Sequence, residues 1–353
     1  MAMFASVILG TFFAANAQCP CGHESLCKPL VTPAPTQEIF AFATGESWKH
    51  FLQFSPAVTT IAFFGNPTAE LVCRAHERNA RVVLGTSFAQ FTNASARSAY
   101  VNESVAKMKN LGIDGFNVDI EGNSAHRDDL TTLIAELSDA AHRLNPHAQI
   151  TFDLAIMPKG QTSGYDHAAL AKILDFIVPM AYDECWGASL AEANSPISAL
   201  AAGVQQYADL GVPAEKLVIG LPWYGWDFPC DSEEPYGSCK ITVPKGKQWY
   251  GYATQISYAT ANMTATHGCK KEALSMTMVT EYFENINRTE HRHQQWFDNP
   301  VTLAAKYREV SRLGCKGVAF WTADEVDYTT SQGKDMWAAL EAFQVEQQID
   351  VIV

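Results

Sequence analysis

Basic residues are scarce in this sequence, and their scarcity argues against one broad class of function. The 353 residues include 25 Lys and Arg against 38 Asp and Glu, which gives a formal net charge of −13 at pH 7. Proteins that bind nucleic acid need a basic face to neutralise phosphates, so we expect no nucleic acid partner. After residue 17 no apolar run is long enough to span a bilayer, so we expect no association with membranes.

Several common catalytic motifs are also missing. The sequence has no Ser-centred nucleophile elbow and no glycine-rich loop of the kind that cradles a phosphate. His291 and His293 stand close together, but no third metal ligand accompanies them. This spacing favours a solvated or structural role for the two histidines over a metal site.

The N-terminus has the pattern of a secretory signal. An apolar run from Met3 to Ala15 precedes the small-x-small triplet that ends at Ala17, which predicts a signal peptide over residues 1–17. The alternative is a buried N-terminal helix. Four N-x-S/T sequons predict N-glycosylation at some of these sites in a secreted chain; they begin at Asn93, Asn102, Asn262 and Asn287.

Nine cysteines are present, and an oxidising compartment favours disulfides between them. Three of them lie between Cys19 and Cys27 and are expected to tie the start of the mature chain to its body, with Cys73 as a candidate partner. A zinc site is the alternative for this cluster. Cys230 and Cys239 flank a short acidic loop and are expected to pair. The odd number leaves at least one thiol free or intermolecular.

The body of the chain alternates short apolar runs with helical patterns. Eight runs have strand character: EIFAFA, TTIAFFG, RVVLGTS, DGFNVDIE, QITFDLAI, FIVPMAYD, LVIGLPWYGWDF and GVAFWTAD. Strands separated by helices in this order are typical of an α/β fold, the parallel (β/α)8 TIM barrel. The connection from about residue 229 to 298 is too long for a plain loop. We therefore expect a single TIM-barrel domain over residues 18–353, with an insertion after strand seven.

One strand carries an unusual set of side chains. In DGFNVDIEGN, from Asp114 to Asn123, the polar residues Asn117, Asp119 and Glu121 alternate with apolar ones. Alternate side chains of a strand lie on one face. In a parallel barrel, side chains at the carboxyl end of a strand face the catalytic mouth. Two carboxylates on one buried face repel each other and resist desolvation. A purely structural polar layer is therefore the weaker interpretation.

The same strand resembles the D-G-x-x-x-D-x-E signature of glycoside hydrolase family 18, the chitinase-like family. Similar stretches include MAYDE, KLVIGLPWYGWDF and HRHQQWFDNP, and the resemblance covers nearly the whole mature chain. Most chitinases have Asp at the middle position of the signature, where this sequence has Asn117. The resemblance implies a TIM barrel and a retaining, substrate-assisted glycosidase for β-1,4-linked N-acetylglucosamine, with no metal and no organic cofactor. The expected substrates are the chitobiose core of N-glycans and chitooligosaccharides.

The resemblance also implies catalytic roles for three residues. Glu121 would protonate the glycosidic oxygen, and Asp119 would hydrogen-bond the acetamido N–H of the substrate. Tyr182 would hold the acetamido oxygen for its attack on the anomeric carbon. From the residues themselves, burial and a neighbouring carboxylate should raise the pKa of Glu121, with Asp119 as that neighbour. Asn117 is expected to orient Asp119 without adding a third negative charge.

Six further residues are candidates for substrate binding. By resemblance, Trp321 would form the floor under the sugar, and Asp183 would bind a sugar hydroxyl or steady the pocket. Trp223 and Tyr224 follow strand seven, and Tyr224 is the stronger ligand candidate of the two. Asp153 shares a strand face with Thr151 and is a weaker candidate for the pocket. Asp298 resembles a family position that would contact substrate or cap the next helix.

Three functions remain open at this point. The first is the glycosidase described above, and the second is a secreted chitinase or an endo-acting N-glycan hydrolase. The third is a non-catalytic chitinase-like lectin, against which the combination of Glu121, Asp119 and Tyr182 argues. In each case the partner is an N-acetylglucosamine-containing oligosaccharide. We expect a monomer that is lysosomal or secreted and has an acidic pH optimum.

Overall fold

The computed structural model describes most of the chain between residues 19 and 343. The described residues are 19–54, 58–87, 91–122, 125–185, 188–230, 239–241, 253–266, 270–275, 280–285 and 293–343. The predicted signal peptide, residues 1–17, lies outside them. So do Asn287, His291 and Cys269.

Eight parallel strands close into a barrel. Seven of them come first in the chain: β1 (Glu38–Ala43), β2 (Thr60–Phe63), β3 (Arg81–Thr86), β4 (Gly115–Val118), β5 (Gln149–Ala155), β6 (Phe176–Met180) and β7 (Val218–Pro222). The eighth, β13 (Gly317–Trp321), pairs with β7 on one side and with β1 on the other. The order around the barrel is β1-β13-β7-β6-β5-β4-β3-β2. The predicted (β/α)8 fold is confirmed.

Helices follow most of the barrel strands. Their bounds are α1 (Trp48–Phe54), α2 (Ala69–His76), α3 (Ala94–Leu111), α4 (Arg127–Leu144), α5 (His167–Ile173), α6 (Ile197–Asp209), α7 (Tyr258–Thr266), α8 (Pro300–Arg312) and α9 (Ser331–Ala338). Polar caps define several of the starts; for example, the Asn299 side chain accepts hydrogen bonds from Val301 and Thr302 at the start of α8. Within the described ranges, no helix is both long and apolar enough to cross a membrane.

Apolar side chains pack on both faces of the barrel sheet. Inside, Phe40 packs edge-on against Phe42 and Phe176 in a small cluster of buried residues. Outside, a much larger buried cluster joins the strands to the helices. β4 lies close to β5 because residue 115 is glycine: a Cβ there would lie 1.9 Å from the carbonyl oxygen of Gln149. The glycine of the D-G motif is therefore a requirement of this register.

A second, five-stranded antiparallel sheet lies between β7 and α8. Its strands are β8 (Tyr224–Pro229), β9 (Thr254–Ser257), β10 (Lys270–Ser275), β11 (Thr280–Asn285) and β12 (His293–Phe297), in the order β10-β11-β12-β8-β9. The sequence pattern LVIGLPWYGWDF predicted one strand, but the structure divides it at Trp223 into β7 and β8. The extra sheet thus begins at Tyr224, ahead of the predicted start near residue 229.

Disulfides join the segment from Cys19 to Cys27 to the barrel. Cys21 pairs with Cys73 on α2, and Cys19 pairs with Cys27, so the zinc alternative for this cluster is wrong. The predicted Cys230–Cys239 pair is confirmed.

Asp114 forms buried hydrogen bonds in the same region. Its carboxylate accepts hydrogen bonds from the backbone N–H groups of Leu30 and Val82 and contacts His76 at 2.9 Å. This accounts for the first acid of the motif as a structural residue.

Candidate active site

The carboxyl ends of three barrel strands carry the predicted catalytic groups. Asp119 and Glu121 follow β4, Tyr182 and Asp183 follow β6, and Trp321 ends β13. All barrel strands are parallel, so these ends open at the same mouth of the barrel.

The Tyr182 phenol lies among the acids of this mouth. Burial raises its pKa well above the ordinary value, and nearby carboxylates raise it further. These carboxylates belong to Asp153, Asp119, Asp183 and Glu121. The structure therefore brings together residues of β4, β5 and β6 that lie far apart in the sequence.

Asp119 is one of the acids at the barrel mouth whose pKa is raised. Burial, followed by repulsion from Glu121, raises the pKa of Asp119 to about 6. One of its carboxylate oxygens, Oδ1, is buried and has no hydrogen-bond donor among the described residues. An unsatisfied buried acceptor costs about 1–3 kcal/mol. A bound ligand that offers an N–H or O–H group would remove this cost.

Glu121 is more exposed than Asp119 and has two carboxylates near it. Burial raises the pKa of Glu121, and repulsion from Asp183 raises it further. The predicted neighbour Asp119 also repels Glu121, and this repulsion is mutual. Asp183 follows β6, so only the fold brings this second carboxylate near the acid. After Glu121 the chain turns away at Gly122, whose φ of +70° suits glycine.

Asn117 forms hydrogen bonds with β5 instead of orienting Asp119 as predicted. Its Nδ2 donates to Asp153 Oδ2 at 2.6 Å, and its Oδ1 accepts from Thr151 Oγ1 at 2.6 Å. Both bonds cross the pair β4 and β5, in which Asn117 lies opposite Thr151. Asn117 therefore acts on the acids indirectly, through Asp153.

Asp153 is too deeply buried to form the cleft wall. Asp153 is 3% exposed, and its Oδ1 accepts no hydrogen bond from the described residues. Burial raises the pKa of Asp153 well above its ordinary value, and repulsion from Asp119 raises it further, against the lowering effect of the bond from Asn117. The predicted role of Asp153 as a direct sugar ligand is not supported by its position.

Asp183 is fixed by hydrogen bonds from the start of β8. Tyr224 Oη donates to Asp183 Oδ1 at 2.7 Å, and Trp226 Nε1 donates to the same oxygen at 2.9 Å. Asp183 has a φ of +59°, an uncommon conformation for a residue other than glycine. Asn194 stabilises it by accepting the Asp183 backbone N–H at 2.8 Å. Tyr224 is thus a support for Asp183, and its 3% exposure leaves little surface for a sugar.

Trp321 lies at the barrel mouth with its ring partly exposed. Its indole packs against Phe42 and Phe64, with ring centroids 5.2 and 5.3 Å away. It also contacts the buried cluster that β8 and β12 form with Tyr182. An aromatic face supported from below in this way is suited to stacking on the apolar face of a sugar ring.

Two predicted ligands are core residues. Trp223 is fully buried, stacks on Phe320 at 4.0 Å and donates a hydrogen bond to Tyr307. Asp298 is 2% exposed and forms a buried ion pair with Lys306, whose Nζ lies 2.5 and 2.6 Å from the two carboxylate oxygens. The cap of α8 is Asn299, so Asp298 neither caps that helix nor reaches substrate.

The sequence analysis did not identify two residues that support the acids. Asn194 holds the backbone of Asp183, and the Tyr165 hydroxyl donates to the carbonyl of Ile120 at 2.8 Å. Both lie in irregular segments after β6 and β5, where no periodicity marks a side chain as inward-facing. The sequence holds no local pattern that would have singled them out.

A family model matches most of the chain. Residues 45–325 match the model of the glycosyl hydrolases family 18. The chain belongs to that family.

Two curated relatives have similar lengths. The di-N-acetylchitobiase of Rattus norvegicus is 33% identical over 341 residues, which cover 91% of this chain and 92% of the rat protein. The di-N-acetylchitobiase of Homo sapiens is 31% identical over 347 residues, with 93% and 89% covered.

Solved structures of lower identity share the fold. Catalytic domain 2 of the Group II chitinase of Ostrinia furnacalis has a TM-score of 0.74 at 17% identity, with 88% of this chain and 97% of that chain covered. The chitinase of Chromobacterium violaceum has a TM-score of 0.70 at 18% identity, with 87% and 99% covered.

Proposed function

We propose that this protein is a retaining glycosidase that cleaves β-1,4 bonds between N-acetylglucosamine units. Its substrates are the chitobiose core of N-glycans and chitooligosaccharides. The observation that carries this proposal is the buried, unpaired Oδ1 of Asp119 beside the raised-pKa acid Glu121. The acetamido N–H of a bound sugar is a donor suited to that oxygen. The similarity to proteins named di-N-acetylchitobiase supports the choice of substrate.

The reaction follows from the placement of the acids. Protonated Glu121 donates its proton to the glycosidic oxygen as the bond between that oxygen and the anomeric carbon breaks. The acetamido oxygen of the substrate forms a bond to the same carbon, which gives a cyclic oxazolinium intermediate. Asp119 accepts the acetamido N–H and balances the positive charge. Glu121, now ionised, removes a proton from water, which attacks the anomeric carbon and restores the acetamido group with net retention.

The remaining site residues orient the substrate and tune these acids. Tyr182 donates a hydrogen bond from its hydroxyl to the acetamido oxygen and keeps its proton, since burial and the nearby carboxylates raise the pKa of the phenol. Trp321 provides the apolar floor. Asp183, fixed by Tyr224 and Trp226, keeps the pKa of Glu121 raised. Asn117 with Asp153 forms the polar support beneath Asp119.

We also propose that residues 18–353 form one catalytic domain that works as a monomer. The extra sheet then walls the cleft, since β8 and β12 share a buried cluster with Tyr182 and Trp321. The proposed route is the secretory pathway, with residues 1–17 as its signal and a lysosomal or extracellular destination. Three disulfides in the described residues support an oxidising compartment.

The test is hydrolysis of a chromogenic chitobioside by the wild type and by Glu121→Gln. Loss of the general acid should lower kcat by about 10²–10⁴-fold. Glu215→Gln, at an exposed position in the short turn before β7, is the matched control and should keep wild-type activity. Sugar binding without turnover by the wild type would favour the lectin function instead. Product analysis on chitotriose would separate the exo-acting enzyme from an endo-acting one.

A further inference from the structure

The segment that carries the two acids has left the barrel sheet. Val118 is the last residue of β4 in either ladder, opposite Thr86 of β3 and Phe152 of β5. The Asp119 backbone N–H still donates to the Thr86 carbonyl at 2.8 Å. Beyond that bond, neither ladder extends to Ile120 or to the residues after it. The peptide between Ile120 and Glu121 therefore depends on other contacts for its orientation.

Among the residues that the structure describes, the Tyr165 side chain provides such a contact. The Tyr165 hydroxyl donates to the carbonyl oxygen of Ile120 at 2.8 Å, and Tyr165 is 5% exposed. Its ring packs edge-on against Phe152 and His167, with centroids 5.9 and 6.1 Å away. The hydroxyl is thus aimed at Ile120 by a ring that is enclosed by the core.

Fixing this carbonyl also fixes the first bond of the next residue. The carbonyl of Ile120 and the N–Cα bond of Glu121 lie in one rigid peptide plane. The apolar side chain of Ile120 is buried as well. The peptide plane is therefore restrained both by the packing of this side chain and by the hydrogen bond to its carbonyl. On the other side of the acid, Gly122 has no heavy atom within 4 Å of the position a Cβ would take. In the described part of the chain, the contacts on Ile120 come directly before Glu121 and act on its direction.

We propose that Tyr165 is a positioning residue that sets the direction in which Glu121 enters the cleft. The proposal rests on the proposed function only in so far as it takes Glu121 to be the acid. Tyr165 does not touch substrate. Its hydrogen bond replaces the ladder bond that the acid-bearing segment lost on leaving the sheet. A displaced acid would protonate the glycosidic oxygen less effectively, since misplacement by about 1 Å can cost about 10²-fold in rate.

The variant Tyr165→Phe removes the hydroxyl and keeps the ring. One hydrogen bond is a small part of the stability of a domain, so the variant should fold. Tyr207→Phe is a matched control: Tyr207 is fully buried, its ring also packs edge-on against His167, and its hydroxyl donates to the Ala155 carbonyl at 2.8 Å. Ala155 is the last residue of β5, and the residue after its carbonyl is not an acid.

Steady-state kinetics on a chromogenic chitobioside should separate the two variants. For Tyr165→Phe we expect kcat to fall by about 10-fold, while KM stays within about twofold. For Tyr207→Phe both constants should stay within about twofold, although both variants lose a similar amount of thermal stability. An equal effect of the two substitutions on kcat would overturn the proposal.

A second readout does not depend on activity. Titration of ¹³C-labelled Glu side chains by NMR would follow the Glu121 carboxyl directly. We expect its pKa to move in Tyr165→Phe and to stay unchanged in Tyr207→Phe, because only the first substitution displaces Glu121 relative to Asp183. An unchanged titration in both variants would contradict the role of Tyr165. A wild type without hydrolytic activity would overturn the proposed function, while this titration would still decide the role of Tyr165.

Discussion

Replacing Asp119 by Asn should stabilise the protein at neutral pH and inactivate it. Burial and Glu121 raise the pKa of Asp119 from 3.8 to about 6 in the folded chain. Each pK unit corresponds to about 1.4 kcal/mol, so ionised Asp119 lowers the free energy of unfolding at pH 7 by about 2–3 kcal/mol. Asparagine has nearly the same shape and no charge. The variant should therefore recover that free energy and lose the acceptor for the acetamido N–H.

The sign of the pH dependence follows from the raised pKa. Below the unfolded-state pKa, Asp119 is protonated in both states and has no destabilising effect. As the pH rises from about 3.8 to about 6, the unfolded state ionises while the folded state still holds the proton, so stability is lost across this interval; above about 6 both states are ionised and the loss stays constant. The gap between variant and wild type should thus be about 2–3 kcal/mol at pH 7, fall to about 0.5 kcal/mol at pH 4 and vanish below pH 3.

Urea unfolding of both proteins at several pH values would measure this gap. Asp139→Asn, on the exposed face of α4, is the control and should leave stability unchanged across the range. The activity of Asp119→Asn should fall by about 10²-fold or more. A variant no more stable than the wild type at pH 7, or a gain that is independent of pH, would refute the reasoning.

Two further predictions concern buried charges. In Asn117→Asp, a second carboxyl would replace the amide that lies 2.6 Å from Asp153, so the pair must share a proton. Stability at neutral pH should fall, and the pH profile of kcat should shift; an unchanged profile would contradict the role of Asn117. In Lys306→Met, buried Asp298 loses its ion pair, which should cost about 3–5 kcal/mol by urea unfolding. KM should not change, since Asp298 does not reach the cleft, and the double variant with Asp298→Asn should recover much of the loss.

The fold was predictable because its evidence is repeated along the chain. Eight apolar runs separated by helical patterns indicate a parallel barrel, even though one predicted strand, LVIGLPWYGWDF, is two. The Cys230–Cys239 disulfide was predictable because it joins residues nine positions apart. In the same way, the alternation of Asn117, Asp119 and Glu121 marks a polar strand face from a few consecutive residues.

The burial of single side chains could not be predicted in this way. Trp223 and Asp298 lie in segments that resemble the family, yet one stacks on Phe320 in the core and the other pairs with Lys306. Their environments are formed by residues distant in the sequence. Resemblance to a motif indicates where a side chain lies along the chain, but it does not establish whether solvent or protein covers that side chain.

The sequence alone determined the barrel, the strand that carries the acids and the chemical class of the site, because each depends on local periodicity and on residue type. Only the tertiary structure decided how the acids are held. Asp153 is 36 residues from Asn117, and Tyr165 is 45 residues from Ile120. Asp183, a second carboxylate that raises the pKa of Glu121, comes from the end of another strand. These contacts depend on strand register and on the paths of irregular loops, which no short stretch of sequence encodes.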